Sequence, residues 1–200
     1  VISKDQGATW EPLALHGQVD FHVFEVNAGN SSVLYGINSH GANAGLYQSV
    51  DGGSKWDKIK AKGLPEDLMT VFSLISDPEN PQSLLAGTQV GILESADGGK
   101  TWTLKSNSQT FTSAKGIKEP SGKIVTYVIG ENEGLMFSND FGDTWTSLNL
   151  QLGEDVATHI AIHPQQEGIY AVGTSKEHVL QTTDNGQTWK TLAESGKPQK

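Results

Sequence analysis

The chain has 200 residues, 36% of them hydrophobic, and a formal net charge of −9, so it has enough apolar residues for a folded core and a disordered chain is excluded. It contains no Cys, which excludes disulfides and thiolate chemistry, and no apolar run approaches the roughly 20 residues of a membrane-spanning helix. All 14 basic residues are Lys, and an acidic chain without Arg is not expected to bind nucleic acid, where affinity depends on neutralising phosphates.

Short apolar runs separated by Gly, Asn, Asp and Pro recur along the chain. We interpret each as a β-strand, because apolar and polar residues alternate within it. In chain order the runs are 10–15; 21–26, 33–38 and 45–49; 70–75, 83–88 and 91–95; 112–117, 124–130 and 134–138; 145–150; and 158–163, 169–174 and 179–182. No segment shows a sustained helical period. The sequence therefore predicts an all-β fold of short strands.

An eight-residue box, S/T-x-D-x-G-x-T-W, occurs five times, once near the start of the chain and then after each third run. Its Asp residues are separated by 46, 46, 43 and 44 positions, and all five Trp occupy its last position. A regular period of this length indicates a stack or ring of similar units. The residues at its defining positions are Ser3, Asp5, Gly7 and Trp10; Ser49, Asp51, Gly53 and Trp56; Ser95, Asp97, Gly99 and Trp102; Ser138, Asp140, Gly142 and Trp145; and Thr182, Asp184, Gly186 and Trp189.

The box is interpreted as a structural turn rather than a catalytic or metal-binding motif. Its Gly permits a positive φ, its Asp and Ser/Thr side chains can bond to nearby backbone N–H groups, and its Trp offers a large apolar surface. It supplies too few oxygen ligands for a calcium loop. The second box has Lys55 where the others have Thr, so we predict that its turn is held less firmly.

Four strands per repeating unit are typical of a β-propeller blade. A β-sandwich is the alternative, but it does not predict a regular period. We predict one propeller domain of four-stranded antiparallel blades, divided into a partial blade at 1–20, complete blades at 21–64, 65–110, 111–153 and 154–194, and a tail at 195–200. We expect a fragment of a ring of about six or seven blades, with further blades upstream. An open apolar flank would then favour self-association.

The five boxes resemble the BNR, or Asp-box, repeat of sialidases, xyloglucanase-type glycoside hydrolases, sortilin-type receptors and a photosystem II assembly factor. The resemblance covers essentially the whole chain and implies a propeller scaffold, on which these families carry out different functions. DFH at 20–22 and LAESGKP at 192–198 are also similar to a bacterial group described as glycosylhydrolase-like. That likeness implies a bacterial protein secreted or lipid-anchored outside the cytoplasm, with its signal upstream of this segment.

In a propeller the boxes lie on one face, and the resemblance implies that ligands bind on the opposite face, called the top face below. The connections expected there are rich in carboxylates and His. The candidate ligand-binding residues are Asp20, His22, His40, Glu131, Glu133 and His159, and the candidate catalytic residues are Glu66, Asp67, Glu154 and Asp155. They form either a cation or glycan site or a solvated acidic rim. No spacing typical of metal ligands occurs, so no metal site and no cofactor are predicted.

The predicted function is that of a non-enzymatic binding or scaffold module outside the cytoplasm, which recognises a protein or carbohydrate partner on the top face. The alternative is a glycoside hydrolase or sugar-binding protein of the Asp-box group, with two top-loop carboxylates as the reacting groups. A sialidase is excluded, because its family grips the sugar carboxylate with Arg and this chain has none. Every Trp lies in a box and few aromatic residues, such as Phe111, are expected in the top loops, which favours the non-enzymatic interpretation.

Overall fold

The computed structural model describes residues 1–117, 123–163 and 165–199, and within these ranges the strands form four antiparallel sheets. Residues 118–122, inside the predicted blade 111–153, lie outside the described residues, as do 164 and 200. Blade 1 contains β1 (Phe21–Val26), β2 (Leu34–Asn38), β3 (Gly45–Ser49) and β4 (Asp57–Ile59); blade 2 contains β5 (Val71–Ser76), β6 (Leu84–Thr88), β7 (Gly91–Ser95) and β8 (Thr103–Ser106); blade 3 contains β9 (Gln109–Ile117), β10 (Lys123–Gly130), β11 (Gly134–Ser138) and β12 (Thr146–Ser147); and blade 4 contains β13 (Ala157–Ile162), β14 (Tyr170–Thr174), β15 (Val179–Thr182), β16 (Lys190–Glu194) and β17 (Lys197–Pro198). A single 3₁₀ turn at Leu68–Thr70 precedes β5 in the described chain.

The strand order within each sheet follows the chain, so each sheet is an antiparallel meander. The first strand of each blade contacts the first strand of the next, which places β1, β5, β9 and β13 side by side on the inside of the assembly. Each sheet packs its faces against its neighbours, as the blades of a propeller do. The all-β propeller prediction is therefore confirmed.

Two local expectations were wrong. The run at 10–15 does not form a strand, and only Glu11 is paired, through an isolated antiparallel bridge with Ile2. The segment 195–200, expected to be a tail, contributes β17, which pairs with the outer edge of β16. Its Pro198 is compatible with an edge strand, since proline cannot donate to a further partner.

Apolar cores lie between successive blades. Blades 1 and 2 share a core that contains Trp102, and blades 2 and 3 share one that Trp145 packs against. Trp189 packs against the core between blades 3 and 4, and its indole N–H donates to the carbonyl oxygen of Leu148 at 2.8 Å. The box Trp of each of these blades thus packs against the preceding blade.

The box carboxylates are engaged within their own turns. In the third box, Asp97 Oδ1 accepts from the Ser95 hydroxyl at 2.9 Å and from the Thr101 backbone N–H at 2.8 Å, and the Thr101 hydroxyl donates to Oδ2. The hydroxyl and then the backbone N–H of Thr101 lower the pKa of Asp97 to about 2. Gly99 has a φ of +86°, which a residue with a side chain adopts only with strain.

The second box lacks one of these bonds. Asp51 accepts from the Lys55 backbone N–H at 2.9 Å, but Lys55 has no hydroxyl to donate to the other carboxylate oxygen. In the other four boxes a Thr hydroxyl makes that bond at 2.5–2.6 Å. The backbone bond from Lys55 still holds the pKa of Asp51 below its ordinary value. The turn of the second box therefore keeps its backbone hydrogen bonds to Ser49 and Asp51 and lacks only the bond from a Thr hydroxyl.

The outward face of blade 4 packs against no other sheet of the described chain. In blade 1 the paired residues Ile37 and Leu46 pack against blade 2. The equivalent pair in blade 4 is Gly173 and Val179. The side chains at these positions are smaller than those at the interior interface. This flank is accordingly less apolar than the sequence led us to expect.

Candidate ligand site at the mouth of the channel

Each innermost strand contains a β-bulge near the end of its blade opposite the box. In β5, Val71 and Ser73 pair with consecutive residues of β6, so Phe72 is the extra residue. Val71 belongs to the core shared with blade 1, whereas Phe72 is excluded from it and remains 42% exposed. A bulge re-aims side chains in this way and is common beside functional sites. The extra residues of the other inner strands are His22 in β1, Thr112 or Ser113 in β9, and Thr158 in β13.

The bulged residues line a cavity of about 290 Å³ beside the four inner strands, called the channel cavity below. Phe24 and His159 complete its wall, and Phe24 is 48% exposed. The Thr158 hydroxyl donates to the carbonyl oxygen of Gly173 at 3.2 Å and lies 3.0 Å from His159 Nδ1. Among the described residues that line the cavity there is no Asp, Glu or Lys. An uncharged wall of aromatic rings, hydroxyls and imidazoles suits a neutral ligand with apolar faces and polar edges.

Three of the predicted ligand-binding residues come together beside this cavity, at the top of blade 1. The rings of His22 and His40 are in edge contact, with centroids 4.9 Å apart. His22 Nδ1 lies 3.0 Å from the carbonyl oxygen of Asp20, and its Nε2 lies 3.8 Å from the Asp20 carboxylate. His159 lines the same cavity from blade 4.

The predicted acidic residues are spread over separate positions. Glu66 lines a different groove of about 560 Å³, between blade 1 and the connection that leads to blade 2. Asp67 accepts from the Met69 backbone N–H at the start of the 3₁₀ turn. Glu133 accepts from the Tyr127 hydroxyl at 3.3 Å, and the backbone carbonyl of Glu131 accepts from a Gln side chain. None of these four carboxylates lines the channel cavity.

Asp155 is buried and connects the loop before β13 to the loop between β14 and β15 through hydrogen bonds. Its neighbour Glu154 is exposed. Burial alone would raise the pKa of Asp155, but the neighbouring hydroxyls of Thr174 and Ser175 and the backbone N–H groups of Val156 and Lys176 hold it well below its ordinary value. Its second oxygen lies 3.2 Å from Nδ1 of His178 and accepts no hydrogen bond within the described chain. These bonds give Asp155 a positioning role in the loop at 174–178.

Sequence reasoning missed both exposed phenylalanines of the site, Phe24 and Phe72, and misplaced Phe111. Phe111, expected in a top loop, lies in β9 and is almost completely buried. Phe72 was hidden in an apolar run, and His178 lies in a loop where its partner Asp155 is 23 positions away. Phe72 is the second residue of β5 as His22 is of β1, but the predicted run began one residue earlier, at 70, and this equivalence was not visible in it.

The described residues contain neither a metal-binding cluster nor a membrane-spanning helix. No group of three or more His, Asp or Glu side chains among them is arranged to hold a metal ion. Within the same ranges, no helix has the length and apolar composition needed to cross a membrane. The channel cavity, with the bulged residues that line it, and the loops above it are the candidate site.

Comparisons with known proteins agree on the scaffold. The family model Sortilin-Vps10, described as sortilin, neurotensin receptor 3, matches residues 90–199. A xyloglucanase from Acetivibrio thermocellus is 24% identical over 245 aligned positions, which cover 97% of this chain and 28% of the enzyme. The chain thus spans less than a third of that relative's length.

Solved structures of similar proteins have the same type of fold. The GH74 enzyme of Niastella koreensis superposes with a TM-score of 0.65 and 19% identity over 96% of this chain and 34% of the enzyme. The GH74 xyloglucanase of Xanthomonas campestris gives a TM-score of 0.58 and 15% identity over 85% of this chain and 29% of its own. At these identities the likeness shows the fold alone, a β-propeller.

Proposed function

Because the chain belongs to the Sortilin-Vps10 family, whose scaffold alone does not fix an activity, we propose from its site that it is a glycan-recognising Asp-box propeller. The glycan binds at the top face, above and within the channel cavity. The protein acts outside the cytoplasm, where polysaccharides are met. This proposal favours the sugar-binding alternative over recognition of a protein partner.

One observation carries the proposal: two exposed phenylalanine rings, Phe24 and Phe72, flank an uncharged cavity edged by hydroxyls and imidazoles. Sugar-binding surfaces combine an apolar ring face with polar groups that fix orientation, as small-molecule sites do in general. Relatives named as a xyloglucanase and GH74 enzymes make xyloglucan the first ligand to test.

Binding without hydrolysis is favoured by the positions of the carboxylates. Glycoside hydrolysis needs two carboxyl groups roughly 5–5.5 Å or 6.5–9.5 Å apart across the scissile bond. No described carboxylate lines the cavity. Asp155, the catalytic candidate whose pKa is shifted most, is hydrogen-bonded to the loop at 174–178. Hydrolysis by Glu66 or Asp67 together with Glu154 is the second candidate function.

Calorimetric titration with xyloglucan oligosaccharides, together with an assay of reducing ends released from xyloglucan, separates these possibilities. We expect binding with no release of reducing ends. Release that is lost in Glu154→Gln would favour the hydrolase. No heat of binding with xyloglucan or with other neutral glycans would refute the proposed function.

A further inference from the structure

We propose that the channel cavity takes one end of a neutral glycan, a terminal sugar residue or a disaccharide, and that the bulged residues of the inner strands determine its specificity. This inference rests on the proposed glycan-binding function. It adds the part of the glycan that enters the site and the residues that select it.

The charge of the cavity determines the class of sugar. A uronic or sialic acid needs a cation to pair with its carboxylate, and Arg or Lys provides it at protein sites. The chain has no Arg, and no Lys is among the described residues that line the cavity. The Asp20 carboxylate lies 3.8 Å from Nε2 of His22, which lines the cavity. Its negative charge would repel an acidic sugar. A neutral sugar meets no such cost.

The size of the cavity determines how much of the glycan enters. Its volume of about 290 Å³ lies at the lower end of the roughly 300–1,000 Å³ found for small-molecule sites. Residues from the inner strands of all four blades line it, and at this volume it has room for an end of a polysaccharide rather than for a long stretch of it. One or two sugar rings fit this space.

The bulges supply the selecting groups. Phe72 gives an apolar platform on β5, and the hydroxyl of Thr158 and the ring of His22 offer polar contacts from β13 and β1. The equivalent position thus carries a different side chain in three of the blades. A sugar ring is itself asymmetric, with different groups at each edge, so a site on the axis of a repeat protein can recognise it only where the repeats differ.

The test uses the whole chain and three probes, namely methyl β-D-glucopyranoside, methyl β-D-xylopyranoside and glucuronic acid, by NMR titration. We expect at least one neutral glycoside to bind and glucuronic acid to bind at least about tenfold more weakly. Phe72→Ala is expected to weaken binding by about tenfold, as loss of an aromatic contact does. Thr158→Val, which keeps the shape and removes the hydroxyl, is expected to weaken it as well.

Leu104→Ala is the matched control, because Leu104 is also an exposed apolar residue but lies on the outer strand β8. It should bind as the unaltered chain does, and circular dichroism confirms that each variant is folded. If xyloglucan oligosaccharides bind but Phe72→Ala and Thr158→Val bind them normally, the inference is wrong and the proposed function stands. If no glycan binds, the proposed function fails as well.

Discussion

The packing of the box tryptophans can be tested by comparing the same substitution at two boxes. Trp102 is 5% exposed, in the core between blades 1 and 2, and its indole N–H donates to the Gly99 carbonyl at 2.9 Å. A buried Trp removes about 200 Å² from water, which at about 25 cal/mol per Å² contributes about 5 kcal/mol. Trp102→Ala is therefore expected to lower the free energy of unfolding by about 3–5 kcal/mol.

Trp10 occupies the same position of the first box but is 62% exposed. With only about two-fifths of its surface buried, Trp10→Ala is expected to cost less than about 2 kcal/mol. Urea denaturation followed by far-UV circular dichroism measures both, since fluorescence would change with the loss of the indole. Trp102→Phe, which keeps an aromatic ring, should fall between Trp102→Ala and the unaltered chain. Equal losses for Trp10→Ala and Trp102→Ala would refute the argument that the box Trp stabilises by packing against the preceding blade.

Three further predictions concern the turns and the flank. Lys55→Thr is expected to raise the thermal midpoint, because it restores the hydroxyl bond to Asp51 that the other boxes make; a lower midpoint would contradict this. Four box carboxylates have folded pKa values of about 2, against 3.8 in the reference state, so their contribution is complete above about pH 4 and is lost as the pH falls towards 2. Thermal midpoints at pH 5, 3 and 2 should fall in that order, and a constant midpoint would oppose the assignment. Sedimentation velocity is expected to show self-association that Val179→Asp reduces; unchanged association would show that the outward face of blade 4 is not involved.

The strands could be predicted because their signals are local. The predicted run at 45–49 has the same first and last residues as β3. Alternating apolar and polar residues, a Gly at its start and the box at its end define these limits. The run at 145–150 shortened to the two residues of β12, because Asn149 adopts a φ of +55°, outside the range of an extended strand. The period of the boxes then allowed the strands to be assigned to separate sheets, one for each repeat.

The site could be predicted only in part. His22 and His159 follow from their place at the start of inner strands, and both line the cavity. Phe72 does not follow, because a bulge depends on how two strands pair and not on the residues of one. The role of Asp155 depends on a loop about 20 positions later, so it was grouped with carboxylates that the structure keeps apart.

The two repeated features of the blades differ in how strictly they repeat, and the difference separates scaffold from site. At the box, Asp, Gly and Trp are identical in all five copies, as expected where every copy makes the same turn and packs in the same way. At the bulges, by contrast, the inner strands of three of the four blades present His22, Phe72 and Thr158 at the same place in nearly equivalent backbone surroundings. A packing role would require the same kind of side chain in each blade, because the backbone surroundings are the same. Different side chains at one position of a repeat are what recognition of an asymmetric ligand needs, and this is the reason for placing the ligand at the bulges and not at the boxes.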